Sequence, residues 1–207
     1  MPRKKRIWYS GASYHLIGRG NRHCTIFNEK DDYLIFLRLL HVIQERHPFV
    51  LHACCLMTNH FHLEVTTVSD PVWKLMQPLM SNYARTFNHK YGLDGHLFDS
   101  RYGSGLIEDE RYFLEVSRYI HLNPVKAQMV STPMDYEYSS YGLYMDPVLY
   151  RGSSPVSRMI GDRVDTSHIK SWFGNDAAEQ YRIFVEDRNS HAEQEMMIQK
   201  EINEYSA

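Results

Sequence analysis

Two histidines, a tyrosine and an asparagine have the types and spacing to do chemistry together. His60 and His62 lie two residues apart in Leu56-Met57-Thr58-Asn59-His60-Phe61-His62-Leu63-Glu64-Val65. On a strand they project from one face while Phe61 points to the other, which makes half of a divalent-metal site. Tyr119 and Asn123 are four apart near the end of an amphipathic run. They therefore share a helix face, and offer a phenol nucleophile and a carboxamide oxygen able to complete a site with the two imidazoles. Each residue also has an ordinary reading. A strand carries histidines for solubility or hydrogen bonding, the chain has 15 tyrosines, and asparagine before proline is a common helix stop.

The elements that must position these groups follow from periodicity. Residues 8–18 read as a strand ending in the basic turn Gly18-Arg19-Gly20-Asn21-Arg22, whose backbone N–H groups, with Arg19 and Arg22, would suit a phosphodiester. It is no dinucleotide fingerprint, because the third glycine would fall at His23. A core-packing helix is expected over 30–47, a strand over 49–57 joined by the Thr58-Asn59 turn to the histidine strand, and a second helix over 71–91. A glycine-punctuated loop then leads to a short strand ending near Ile107. From Asp109 as N-cap a third helix runs to Leu122, with Phe113, Val116 and Ile120 as its stripe and Pro124 closing it. The order strand-helix-hairpin-helix-strand predicts an α+β, ferredoxin-like (RRM-like) antiparallel sheet with both helices on one face. The other face is then free for a ligand such as single-stranded nucleic acid.

Composition sets the bounds. The 207 residues are 43% apolar and 23% charged, the profile of a globular chain. No apolar run is long enough to span a bilayer, and Met1-Pro2-Arg3-Lys4-Lys5-Arg6 lacks the apolar stretch of a secretory signal, so a cytoplasmic protein with no membrane partner is expected. Cys24, Cys54 and Cys55 fit neither a zinc knuckle nor Cys-x-x-Cys, and the adjacent pair is expected on opposite faces of a buried strand. Residues 1–130 hold 16 Lys and Arg against 12 Asp and Glu, whereas residues 131–207 hold 7 against 13. The front portion is the one suited to a polyanion. The division expected is a domain over 1–130 and an acidic, mainly helical extension over 131–207, with short helices at Pro155–Gly161, Ser167–Phe173 and Asp176–Val185 and a longer one from His191 to Tyr205.

His60-Phe61-His62 followed by Arg118-Tyr119-Ile120-His121-Leu122-Asn123-Pro124-Val125-Lys126-Ala127 closely resembles the single-tyrosine HUH transposases, IS200-like, and among them those associated with repetitive extragenic palindromes (REPs). Tyr14 to Arg22, Gly95 to Arg101 and Tyr138-Ser139-Ser140-Tyr141 look like that family too, so the resemblance covers roughly residues 8–145. It departs at Gln128-Met129, where many relatives have Gly-Leu. The resemblance implies Mg²⁺ or Mn²⁺ held by His60, His62 and Asn123, with Tyr119 as the nucleophile. It further implies cleavage and rejoining of single-stranded DNA hairpins (REP or BIME repeats) through a 5′-phosphotyrosine link. A monomer working in cis is favoured, a homodimer being the alternative. Candidate backbone contacts are Arg3, Lys4, Arg6, Arg19, Asn21, Arg22 and Arg101; His15, Glu64 and His121 are candidates to take the phenol proton. Two other classes stay open: a catalytically silent module that holds single-stranded nucleic acid, and a metallohydrolase using activated water, for which no His-Glu-x-x-His exists.

Overall fold

In a computed structural model that describes residues 7–187 and 195–200, the first part of the chain runs β1 (Ser13–Arg19), α1 (Lys30–Arg46), β2 (Phe49–Leu56), β3 (His60–Thr67), α2 (Val72–Tyr91), β4 (Gly103–Ile107) and α3 (Glu110–Lys126). The sheet is antiparallel in the order β2-β3-β1-β4. This is the expected ferredoxin-like arrangement, with the histidine strand next to the centre.

Alternation along the strands divides the molecule into two cores. Leu16, Phe61 and Leu63 face α1 and α2, where Phe36, Leu79 and Tyr83 meet them. Ile17, Ala53 and Cys55 point the other way. Cys54 and Cys55 thus fall in opposite cores, as the adjacent pair predicts. That second face is not free, contrary to expectation. Its apolar residues are covered by Phe113, Val116, Tyr119 and Ile120 of α3, with Tyr141, Tyr144 and Tyr181 from further along the chain. The stripe on α3 was legible, but periodicity does not say which surface a stripe covers.

Asp109 caps α3, its carboxylate accepting the Tyr112 N–H at 2.7 Å. Pro124 does not close the helix, which continues to Lys126. Only one backbone donor is lost at that position, and the turn after it closes through Ala127 N–H to Asn123 C=O at 2.9 Å. Gln128 then takes a left-handed φ of 56°.

After α3 come α4 (Tyr141–Met145), α5 (Pro147–Ser153), α6 (Pro155–Gly161), α7 (Ser167–Lys170) and α8 (Ala177–Glu186). Asp146 and Ser154 cap α5 and α6, each just before a proline that suits the first helical position. These elements bind the sheet directly: Tyr144 Oη donates to His52 C=O at 2.6 Å and Ser140 N–H to Cys54 C=O at 2.9 Å. Of the expected helix from His191 to Tyr205, residues 195–200 are helical and the rest lies outside the described residues. Among the described residues no helix is long and apolar enough to cross a membrane.

Candidate active site

β3 presents His60 and His62 on the α3 side because Phe61 and Leu63 are spent on the other core. The two rings lie 4.9 Å apart and nearly perpendicular, at 88°. His60 Nδ1 is held by Asn59 Oδ1 at 2.6 Å, which leaves its Nε2 for a ligand. His62 is almost wholly buried; its Nδ1 lies 2.9 Å from His15 Nε2, and its Nε2 has no hydrogen-bond partner among the described residues.

α3 brings the phenol to these rings. The Tyr119 ring packs edge-on against His62 at 5.7 Å and against His15 at 5.9 Å. One turn on, Asn123 Nδ2 donates to the Tyr119 C=O at 2.9 Å, and the same carboxamide hydrogen-bonds to the side chains of His60 and Tyr119, so it sits between the imidazole and the phenol. The structure therefore gathers Tyr119, His60, His62 and Asn123 within one chain.

The electrostatics set the protonation states. Burial, then the charge of Arg19, lowers His60 to about 4, against a smaller opposing hydrogen bond that the Asn123 carboxamide oxygen accepts from the ring. His62 is driven well below the usual imidazole value by burial and by its neighbours His60, His15 and Arg19. Both rings are thus neutral at pH 7, the state a metal requires. Burial raises the Tyr119 phenol to about 12, while the Asn123 hydrogen bond and the Arg19 charge pull it down and Glu195 pushes it up.

Two neutral imidazoles and a neutral carboxamide fit a divalent cation in kind. The orphaned His62 Nε2 is what a ligand nitrogen looks like before the ion binds, since a buried polar atom without a partner is costly. Among the described residues no group of three or more His, Cys, Asp or Glu could hold a metal, and beside the two imidazoles the Asn123 carboxamide is the oxygen-bearing side chain the site offers. Such a set brings no anion, and phosphate oxygens would have to supply the negative charge.

The other expected positions scatter. Arg19, half-buried and opposite His60 in the β1–β3 register, is the basic candidate whose charge reaches His60, His62 and Tyr119. Arg22 is exposed in the 3₁₀ turn Asn21–His23, and Arg101 lines a cavity of about 610 Å³ between α2 and residues 95–102. Arg3, Lys4 and Arg6 lie outside the described residues. Two backbone amides of the Gly18–Arg22 turn are bonded within the chain. Gly20 N–H donates to Asn59 C=O and Asn21 N–H to Leu97 C=O, both at 2.8 Å, so these amides are already used. Its glycines serve packing, for a Cβ on Gly18 would meet Phe61 and one on Gly20 the Cys24 carbonyl.

Of the three base candidates, His121 is fully buried and has both ring nitrogens engaged, Nδ1 with Tyr181 Oη and Nε2 with Ser140 Oγ, each at 2.8 Å. Glu64 is fully buried, burial pushes its carboxyl well above the usual carboxylate range, and neither of its oxygens has a hydrogen-bond partner among the described residues. His15 alone touches the Tyr119 ring. Sequence reasoning missed the cover over the phenol. Tyr119 Oη donates to Gln199 Oε1 at 3.0 Å, Lys126 Nζ sits 4.9 Å from the Tyr119 ring centre, and Glu195 bridges Lys126 at 2.8 Å and Arg118 at 2.7 Å. Lys126 follows Tyr119 by two helical turns and could have been suspected; nothing in the sequence ties Gln199 to Tyr119.

Comparison with known proteins bears on this arrangement. Residues 9–123 match the family described as Transposase IS200 like. No curated protein matches. Among solved structures, a REP-associated tyrosine transposase bound to a REP hairpin shares 19% identity over 76% of this chain and 90% of its own, with a TM-score of 0.58. A putative transposase from Deinococcus radiodurans shares 19% identity over 61% of this chain and 92% of its own, with a TM-score of 0.37. The first likeness supports the fold; the second is too distant to add to it. With the family matched across the whole sheet and through Asn123, this chain belongs to the IS200-like transposases.

Proposed function

We propose that this transposase is a single-stranded DNA endonuclease and strand transferase that acts at palindromic hairpins of the REP type through a 5′-phosphotyrosine intermediate. The observation that carries the reading is the meeting of the Tyr119 ring with His62, next to His60, inside one chain. The solved REP-associated relative is bound to a REP hairpin, which supports that substrate class for the present chain.

In this reading Tyr119 Oη attacks the scissile phosphorus. The P–Oη bond forms, the P–O3′ bond breaks, and the proton from the phenol ends on the departing 3′ oxygen. Attack by another 3′-OH on the phosphotyrosine reverses the exchange and rejoins DNA without a nucleotide cofactor. The Asn123 hydrogen bond and the Arg19 charge both favour the phenolate over a phenol that burial has raised to about 12. Arg19, opposite His60 in the β1–β3 register, would contact a backbone phosphate of the bound strand. His60 Nε2, His62 Nε2 and Asn123 Oδ1 would hold Mg²⁺ or Mn²⁺, and the ion, when bound, polarises the non-bridging oxygens of the phosphate. Among the described residues after α3, Tyr141, Tyr144 and Tyr181 pack over the same face, whereas Tyr150, Val156 and Ile160 join the other core. Because the phenol meets histidines of its own chain, a monomer acting in cis suffices.

A hairpin oligonucleotide with a single-stranded flank tests this. With Mn²⁺ or Mg²⁺ it becomes covalently attached to the protein, and Tyr119→Phe abolishes the adduct. Binding without cleavage in both proteins would support a silent nucleic-acid-binding module of this fold; cleavage without an adduct would support a hydrolase.

A further inference from the structure

His15 belongs to β1, where the register sets it against Glu64 and sets Ile17 against His62, so His15 reaches His62 diagonally. The two imidazoles stack at 5.1 Å with 23° between their planes, and a single hydrogen bond of 2.9 Å joins His15 Nε2 to His62 Nδ1. Both rings are sealed from water. One proton occupies that contact, and its owner decides what His62 can do. If His15 Nε2 carries it, His62 accepts at Nδ1 and must bear its own proton on Nε2. That arrangement leaves a buried N–H with nothing to donate to, since His62 Nε2 has no partner among the described residues. If His62 Nδ1 carries it, His15 Nε2 accepts, and the lone pair of His62 Nε2 is free, in a ring that packs against those of His60 and Tyr119.

We infer that His15 is a positioning residue: it accepts the Nδ1–H of His62, fixes the tautomer whose Nε2 lone pair can bind a divalent cation, and holds the ring plane by stacking. The assignment rests on the proposed metal role of His62 and adds a residue that does not itself touch the ion. Partners behind a ligating histidine orient it in this way in many metal sites. His15 also packs against the edge of the Tyr119 ring at 5.9 Å, so one side chain sets both the ligand and the distance from ligand to nucleophile.

The test reads tautomer and metal affinity rather than turnover. In metal-free protein, long-range ¹⁵N correlations of His62 are expected to show the Nδ1–H form. An Nε2–H form would overturn the inference, and this needs no variant to fold. Next, Mn²⁺ binding is titrated by electron paramagnetic resonance in the Tyr119→Phe background with the hairpin oligonucleotide present, so that nothing is cleaved. His15→Leu is expected to weaken Mn²⁺ about 10- to 100-fold, and His15→Gln, whose carboxamide oxygen can accept the same proton, to recover much of the loss. Unchanged affinity in a folded His15→Leu protein would overturn the role of His15 while leaving the metal site standing. Failure of the parent protein to bind Mn²⁺ at all, with His60→Ala indistinguishable from it, would remove the metal reading and this inference with it.

Discussion

The hydroxyl of Tyr119 donates a hydrogen bond to Oε1 of Gln199, eighty residues further along the chain. The proposed nucleophile is therefore capped by the polypeptide that carries it. In the same short helical stretch, residues 195–200, Glu195 pairs with Arg118 and with Lys126, whose ammonium lies near the Tyr119 ring. Loss of that cap should free the phenol for substrate. Gln199→Ala is expected to raise the initial rate of adduct formation by about two- to tenfold, the range set by one neutral hydrogen bond of ~0.5–1.5 kcal/mol. Rates compared on denaturing gels check this, and an unchanged or lower rate would mean the contact does not restrain the tyrosine.

Acid should destabilise this fold earlier than most. Burial lowers His15 and His121 to about 3, His52 and His60 to about 4, and His62 well below its usual value. The sign follows from linkage. Above the ordinary imidazole value of 6.5 these rings are neutral folded or unfolded and contribute nothing. Below it the unfolded chain takes up protons that the native state refuses, so stability falls as pH falls. Each ring adds a slope of up to ~1.4 kcal/mol per pH unit until its folded value is reached. Glu64, raised well above its usual value, acts in the opposite sense, but it is one carboxyl against five imidazoles. Thermal unfolding followed from pH 7.5 to pH 4.5 should show the midpoint dropping steeply below pH 6.5; a flat profile would show that these histidines are not held neutral.

The close approach of β1 and β3 gives a packing prediction. A Cβ on Gly18 would lie 2.5 Å from Phe61 Cζ, and Phe61 is fully buried with the Phe36 ring 4.8 Å away. Gly18→Ala should cost about 1–3 kcal/mol, as overpacking does, and denaturant unfolding measures it. A neutral result would mean Phe61 has room to move.

The helix that carries the tyrosine ends under strain. Gln128 holds a φ of 56°, a region that favours glycine at a helix C-terminus. Gln128→Gly is expected to stabilise the protein by roughly 1 kcal/mol, read from urea midpoints, with no change in the adduct assay.

The divide between what sequence made legible and what it hid falls along physical lines. Local periodicity and turn chemistry found every strand and helix up to α3, because His60-Phe61-His62, the stripe of α1 and the Asp109 cap are properties of neighbours in sequence. The pairing of Tyr119 with the histidine strand rested on family resemblance, and the geometry agrees with it. The covering of the second sheet face and the capping of Tyr119 by Gln199 depend on which surfaces meet, which spacing does not encode. In the basic turn at Gly18–Arg22 the amides of Gly20 and Asn21 are bonded to Asn59 and Leu97, pairings that likewise depend on which segments meet. Likewise α4 and α5 were overlooked although Asp146-Pro147 signals a helix start; the cap was there to be read.

In the proposed reaction the Tyr119 oxygen and the imidazoles of His60 and His62 act on one phosphate. The most direct measurement is mass spectrometry of peptides from a single-turnover reaction with a Mn²⁺-loaded protein and a hairpin oligonucleotide. The expected product is a nucleotide joined through its 5′-phosphate to Tyr119, with no such peptide when either His60 or His62 is replaced by alanine. A nucleotide on a different side chain, or a cut strand with unmodified Tyr119 at every time point, would contradict it.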